Sequence, residues 1–230
     1  MLTHIEWDWV LVMKQSRVYL YLNFRIIFKS FFKNCSQSKL SIEKEFKKKL
    51  NKKKIHLTGM CRTAFLIILE YLLEKNPKKK ELIICTYNLK ELIDIARLKK
   101  FKIVFADLDR KNGMINEKDI LNKINKNTAA LLFTNMFNSF DNLKKITKVC
   151  KKKKVTMIED IAIYYGNHSN YRYAGSLGDV SILSFGIMKN VSAFFGGALL
   201  TNDKPISDYA CRRIESFKKF PATIYFKNIF

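Results

Sequence analysis

Between residues 81 and 158, short apolar runs alternate with longer amphipathic segments. The runs at 81–85, 102–106, 129–134 and 155–158 are rich in Ile, Val, Leu and Phe and have strand length. The segments at 89–98, 116–124 and 141–152 instead space their apolar residues with a helical period. Strands joined through helices pair in parallel, and their helices cover both faces of the sheet. The alternation therefore predicts an α/β three-layer sandwich around a mainly parallel central sheet. No repeat of fixed period is present, which argues against a solenoid.

The flanks extend this plan. Ser41 opens a predicted helix in which Ile42, Phe46 and Leu50 share a face, and a brief strand at 55–57 follows. Residues 62–73 are almost wholly apolar and too long for a strand, so they read as a buried helix. Two further apolar runs, at 180–184 and 198–201, are separated by a loop that carries Lys189. Residues 1–40 read as an aromatic and basic arm, with Trp7, Trp9, Tyr19 and Tyr21. Its apolar runs break at Asp8, Lys14, Arg17, Arg25 and Lys29, far short of the ~20 residues of a membrane-spanning helix. No signal-peptide cleavage pattern is seen either.

Charge is the next constraint. The 230 residues hold 43 Lys+Arg against 20 Asp+Glu, a net charge of +23. That excess suggests nucleic acid or an anionic membrane as partner. Thirty-five of the basic residues are Lys and eight are Arg, whereas base and phosphate readers favour the planar fork of Arg. The lysines come in runs such as 47–49, 52–54, 78–80 and 151–154, at the ends of apolar segments and not along one continuous stripe. The expectation is a solvated lysine surface with no specific nucleic-acid partner. Five scattered cysteines without a CxxC read as reduced thiols in a cytoplasmic protein. Three histidines, none with metal-ligand spacing to a Cys or another His, argue against a structural zinc site.

In an open parallel sheet, ligands bind beyond the carboxyl ends of the strands. The residues there are Thr86, Tyr87 and Asn88, then Asp107 and Asp109, Asn135, Glu159 with Asp160, and Ser184 with Lys189 five residues on. A carboxylate, a hydroxyl and a lysine at one sheet edge suit pyridoxal phosphate. The amine attaches to the aldehyde, the carboxylate keeps the pyridine nitrogen protonated, and the hydroxyl with loop amides holds the phosphate. Neither a dinucleotide-binding glycine fingerprint nor a P-loop is present.

Four blocks then combine in order and spacing. They are Ile158-Glu159-Asp160-Ile161-Ala162, Gly175-Ser176-Leu177-Gly178-Asp179, Ser184-Phe185-x-x-x-Lys189, and Gly196-Gly197-x-x-x-Thr201-Asn202-Asp203. Together they resemble the DegT/StrS type of nucleotide-sugar aminotransferases, which share the aspartate aminotransferase fold. Weaker collinear similarity lies upstream, in Phe105-Ala106-Asp107-Leu108-Asp109 and Asn127-Thr128-Ala129-Ala130. The resemblance spans about residues 40–204. It implies a cofactor-binding large domain over 41–204, with 205–230 a remnant of a small C-terminal domain that is otherwise missing.

By position, the resemblance makes Lys189 the catalytic, cofactor-attached lysine, which also shuttles the proton. Asp160 partners the pyridine nitrogen and Ser184 the phosphate. It further implies pyridoxal 5'-phosphate as cofactor, an amino-acid donor (commonly glutamate), a keto-sugar nucleotide as acceptor, and a homodimer. The dehydratase branch of the family typically carries His where this chain has Lys189.

Several positions depart from the pattern. Met60-Cys61-Arg62 replaces the Ser-Gly-Thr of the family's phosphate loop, which leaves Arg62 and Thr63 as substitutes. Ile163 stands where Gln or His is usual, and Asn138 where Gly is usual. Leu89 occupies the place of a ring-stacking aromatic, with Tyr87 the nearest candidate to replace it. Those departures and the short length also admit a catalytically impaired relative acting as a binding or assembly module.

Overall fold

In a computed structural model, the structure describes residues 35–218 except 112, 114, 136–142, 167, 170, 171 and 194. Most of the predicted N-terminal arm, the start of the helix expected from residue 141, and Asn138 lie outside these residues. The elements are α1 (Cys35–Leu50), β1 (Lys54–Thr58), α2 (Cys61–Lys75), β2 (Glu81–Cys85) and α3 (Lys90–Leu98). Next come β3 (Lys102–Ala106), α4 (Glu117–Lys123), β4 (Thr128–Thr134), α5 (Leu143–Lys153) and β5 (Thr156–Asp160). A two-residue pair, β6 (His168–Ser169) and β7 (Arg172–Tyr173), precedes β8 (Val180–Ser184), β9 (Gly197–Thr201) and α6 (Lys204–Glu215).

Seven strands form one sheet in the order β1-β9-β8-β5-β4-β2-β3. Pairing is parallel from β8 through β5, β4 and β2 to β3, and β9 runs antiparallel to both β8 and β1. The pleat sends alternate residues to opposite faces. Leu82 and Ile84 pack with α2, α3 and α6 on one face, while Ile83 and Cys85 pack with α4 and α5 on the other. Phe46 and Leu50 of α1 close the second face over β1, β8 and β9. The expected three-layer sandwich is therefore the observed one. Strands β2, β4 and β9 are buried throughout, and helix α2 packs on them with Phe65, Ile67, Ile68 and Leu69 fully buried.

Two differences from the sequence reading have physical causes. Helix α1 is already formed at Cys35, so the boundary placed between residues 40 and 41 falls inside it. No Gly or Pro interrupts 35–50, and a Ser inside a helix costs only a fraction of a kcal/mol. Ile42, expected on the buried face with Phe46 and Leu50, is exposed because, midway along α1, it borders an open groove with Phe46, Leu57 and Phe195. Residues 204–215 form α6, whose Ile206 and Ala210 belong to the same core as α2.

Strand β5 also runs further than expected, through Glu159 and Asp160. Glu159 is fully buried, and its carboxylate accepts the backbone N–H groups of Gly175 (2.9 Å), Leu177 (2.7 Å) and Gly178. Three charge-assisted bonds replace the water it has lost. The equally buried Lys52 donates to the Gly178 carbonyl, and burial holds its pKa below the ordinary lysine value. Glu159→Ala leaves two buried amides, Gly175 and Gly178, and the half-buried Leu177 amide without their acceptor. It should lower unfolding free energy by about 3 kcal/mol in urea denaturation, and Glu159→Gln should cost less.

Candidate active site

The site grows out of the β8–β9 hairpin. In the register of that pair, Ser184 stands opposite Gly197. A side chain at Gly197 would place its Cβ 2.4 Å from the Cys61 nitrogen and 2.6 Å from the Met60 carbonyl carbon. Only a glycine lets the start of α2 lie so close against β9, where Met60 forms a parallel bridge with Gly196. No side chain caps that helix start. The Thr63 and Ala64 N–H groups donate to the Met60 carbonyl, while Cys61 and Arg62, the first two residues of the helix, line a cleft together with Ser184, an arrangement that favours anions.

Between the hairpin and its parallel neighbour β5 is a cleft of about 310 Å³. Asp160, Ser184 and Lys189 line it together, facing Cys61, Arg62 and Leu89. The hairpin loop is tied at its base by Phe185 N–H to Gly196 O (3.0 Å) and Ala193 N–H to Phe185 O (2.8 Å). A turn from Lys189 N–H to Gly186 O (3.2 Å) folds the lysine back over Gly186. A Cβ at Gly186 would meet the Ser184 hydroxyl at 3.5 Å and Lys189 Cγ at 4.0 Å. Met188, just before the lysine, has φ +29°, a conformation side chains adopt rarely. Asn190 anchors the turn's far side by donating to the Tyr165 carbonyl (3.2 Å).

Asp160 is only 5% exposed. One oxygen accepts the Ala162 N–H at 2.9 Å, and its backbone carbonyl accepts the Asn135 N–H at 2.9 Å. Burial raises its carboxyl pKa, against the opposing pull of the Ala162 amide and the Lys189 charge. The same burial, with the Asp160 charge nearby, pushes the Cys61 thiol well up, so Cys61 is no thiolate nucleophile at neutral pH. Asn135 is 1% exposed, and its side-chain oxygen has no hydrogen-bond partner among the described residues.

The remaining sequence-predicted residues divide. Arg62 lines the cleft, and its guanidinium lies 3.5 Å from Glu91. Thr63 turns to a neighbouring groove with Leu57, Leu66 and Phe217. Tyr87 is 61% exposed and outside the cleft, whose wall is built by Leu89 two residues later. Asp107 caps its own loop by accepting the Leu108 N–H (2.9 Å). Gly186 and Cys61 were not anticipated as lining residues. The Gly196-Gly197 pair was the available signal for the close approach that positions Cys61.

A protein-family model described as the DegT/DnrJ/EryC1/StrS aminotransferase family matches residues 25–220. GDP-perosamine synthase of Escherichia coli O157:H7 is 30% identical over 105 residues, 46% of this chain and 29% of that protein. The UDP-4-amino-4,6-dideoxy-N-acetyl-beta-L-altrosamine transaminase of Campylobacter jejuni is 28% identical over 108 residues, 46% of this chain and 28% of its own length. Among solved structures, Helicobacter pylori PseC, an aminotransferase involved in pseudoaminic acid biosynthesis, superimposes with a TM-score of 0.69 at 21% identity. It covers 79% of this chain and 49% of PseC. The E. coli GDP-4-keto-6-deoxy-D-mannose-3-dehydratase with bound hydrated PLP gives 0.72 at 19% identity, over 84% of this chain and 52% of its own. The chain thus spans under a third of these curated relatives and about half of the solved structures.

Two substitutions test this geometry. A buried carboxyl with a raised pKa weakens the fold as pH climbs from the ordinary aspartate range through the raised value. Asp160→Asn should therefore stabilise the cofactor-free protein by about 1 kcal/mol at neutral pH, the gain vanishing below the ordinary carboxyl range in melts against pH. Gly197→Ala should destabilise by about 2 kcal/mol, because Met60 and Cys61 must move.

Proposed function

The chain belongs to the DegT/DnrJ/EryC1/StrS aminotransferase family, and from that premise we propose that it transfers an amino group to a keto-sugar nucleotide with pyridoxal 5'-phosphate as cofactor. Glutamate is the proposed donor, the cytoplasm the proposed location and a homodimer the proposed assembly. The observation that carries the reading is the single cleft lined jointly by Lys189, Asp160 and Ser184.

The residues fit the cofactor. The cleft has a buried carboxylate at its floor, a lysine on one wall, and a hydroxyl beside an uncapped helix start. Bound there, pyridoxal phosphate supplies an aldehyde for amine exchange and a ring that withdraws electrons from the carbon undergoing proton transfer. Asp160 suits the pyridine nitrogen because its burial disfavours a lone negative charge and rewards a cationic partner. Ser184, Arg62 and the first amides of α2 suit the phosphate, replacing the hydroxyls that the Met60-Cys61-Arg62 segment lacks. Lys189, held by the turn at Gly186, accepts and returns a proton at Nζ. Leu89 lines the cleft and would offer the cofactor an apolar contact there.

The nucleotide-sugar acceptor rests on the names of the relatives, a perosamine synthase and an altrosamine transaminase. The homodimer has physical support in the apolar side chains left exposed at Met60 and Leu89, which line the cleft, and at Ile163, Ile187 and Met188, next in sequence to its lining residues. Cys61, Cys85, Cys150 and Cys211 are free thiols, as a reducing compartment requires. Among the described residues, no helix is long and apolar enough to cross a membrane.

Incubation with pyridoxal phosphate, borohydride reduction and peptide mapping test the proposal. The expected result is about one cofactor per chain, on the peptide containing Lys189, and none there in Lys189→Ala. Amino transfer from glutamate to a keto-sugar nucleotide should disappear in the same variant. Label scattered over surface lysines, with no transfer, would favour the binding-module reading.

A further inference from the structure

The lysine runs look dispersed along the chain, but the topology gathers them. In a sheet of parallel strands joined by helices, each helix-to-strand connection reaches the same edge, the amino ends of the strands. In this protein those connections are residues 51–53, 76–80, 99–101, 124–127 and 154–155. They contain nine lysines and no acidic residue. The strand-to-helix connections at 59–60, 86–89 and 107–116 carry two basic residues, Arg110 and Lys111, against Asp107 and Asp109. The sheet therefore has a charge polarity, with the candidate active site on the opposite edge from the lysines.

The runs adjoin one another in space. Strands β5, β4, β2 and β3 are consecutive in the sheet and about 4.8 Å apart, so their leading connections lie side by side. Lys79 donates to the carbonyls of Lys153 (3.4 Å) and Lys154 (3.1 Å), and Lys153 donates to the Ile124 carbonyl (2.8 Å). Lys75, Lys79, Lys151 and Lys154 border one shallow depression of about 460 Å³. The two carboxylates in its lining are engaged: Asp179 accepts the Met157 N–H and Asp203 the Ile206 N–H.

Helix dipoles account for part of this, since last-turn lysines such as Lys75, Lys123 and Lys151 complement helix C-termini. That benefit fades within a turn and falls off toward Lys53, Lys78, Lys80 and Lys126, all exposed. The ion pairs nearest these runs are those of Lys99 with Glu70, Lys102 with Glu81 and Lys123 with Asp119, which leave most of the charge uncompensated.

We propose that this lysine edge is a docking surface for an anionic phospholipid bilayer, peripheral to the membrane and facing away from the active-site cleft. The chemistry favours lipid over nucleic acid. The five connections hold no Arg, the residue suited to bidentate phosphate and base contacts. No exposed large aromatic lies among them for base stacking, and Phe101 is buried. Their one strongly exposed apolar neighbour is Leu98, 79% exposed beside Lys99 and Lys100, which suits a headgroup boundary. Compact, strongly hydrated ammonium groups on flexible stems match a fluid, unpatterned sheet of negative charge.

The purified chain is sedimented with phosphatidylcholine vesicles, with and without phosphatidylglycerol, over a salt series. Binding is expected only with phosphatidylglycerol and should weaken steeply as salt rises. Replacing Lys78, Lys80, Lys126 and Lys152 together by Gln should weaken it about 100-fold or more, at roughly 5-fold per lysine. A control with Lys44, Lys111, Lys118 and Lys144 changed to Gln keeps the same net charge and should retain most of the binding. Circular dichroism melts of both variants establish that they fold. Absent binding to phosphatidylglycerol vesicles, or equal loss in the two variants, would overturn the proposal. So would a duplex or single-stranded oligonucleotide that binds the lysine edge more tightly than the vesicles do.

Discussion

Two consecutive carboxylates end the central strand of this protein, and the pleat sends them to opposite sides. Glu159 meets three backbone amides and becomes part of the structure. Asp160 meets one amide from the protein and opens onto a cleft. The first arrangement makes the second tolerable. Glu159 pins the turn at 175–178, that turn leads directly into β8, and β8 carries Ser184 to the rim of the same cleft. An under-satisfied buried carboxylate costs stability, and natural proteins keep such costs chiefly where function requires them.

The cleft also depends on an absent side chain. Gly197 lets the start of α2 come against the sheet, so one hairpin supplies the hydroxyl, the lysine and the floor on which an anion-favouring helix start rests. The chemistry of the site follows from backbone geometry that side chains then decorate. This explains how the Met60-Cys61-Arg62 segment departs from the family's usual residues while the helix start keeps its place.

Much of this was legible in the sequence for local reasons. Strands β2, β3 and β8 match their predicted limits because each is a short, mostly apolar stretch bounded by Lys, turn residues or Asp. Four short blocks carry Asp160, Ser184 and Lys189 in a fixed order, and the three line one cleft. What escaped was non-local. Glu159 read as lying beyond its strand because its partners lie sixteen or more residues away, and the charge alone gave no hint of them. Tyr87 was preferred for its aromatic ring, yet the exposed turn before α3 leaves Leu89 as the wall. Thr63 was chosen for its hydroxyl, and the helix start turns it toward Leu66 and Phe217. The lysine runs seemed scattered until the strand order placed their connections along one edge.

Asp160 is a buried carboxylate with no ion pair among the described residues, and the proposed cofactor would bring its cationic partner. The most direct measurement follows its carboxyl carbon by NMR in protein labelled at aspartate, assigned with Asp160→Asn, before and after pyridoxal phosphate is added. Asp160 should titrate above the ordinary aspartate range in the cofactor-free protein and fall below that position once the cofactor is bound. A carboxyl that titrates in the ordinary range and does not respond to the cofactor would contradict the account.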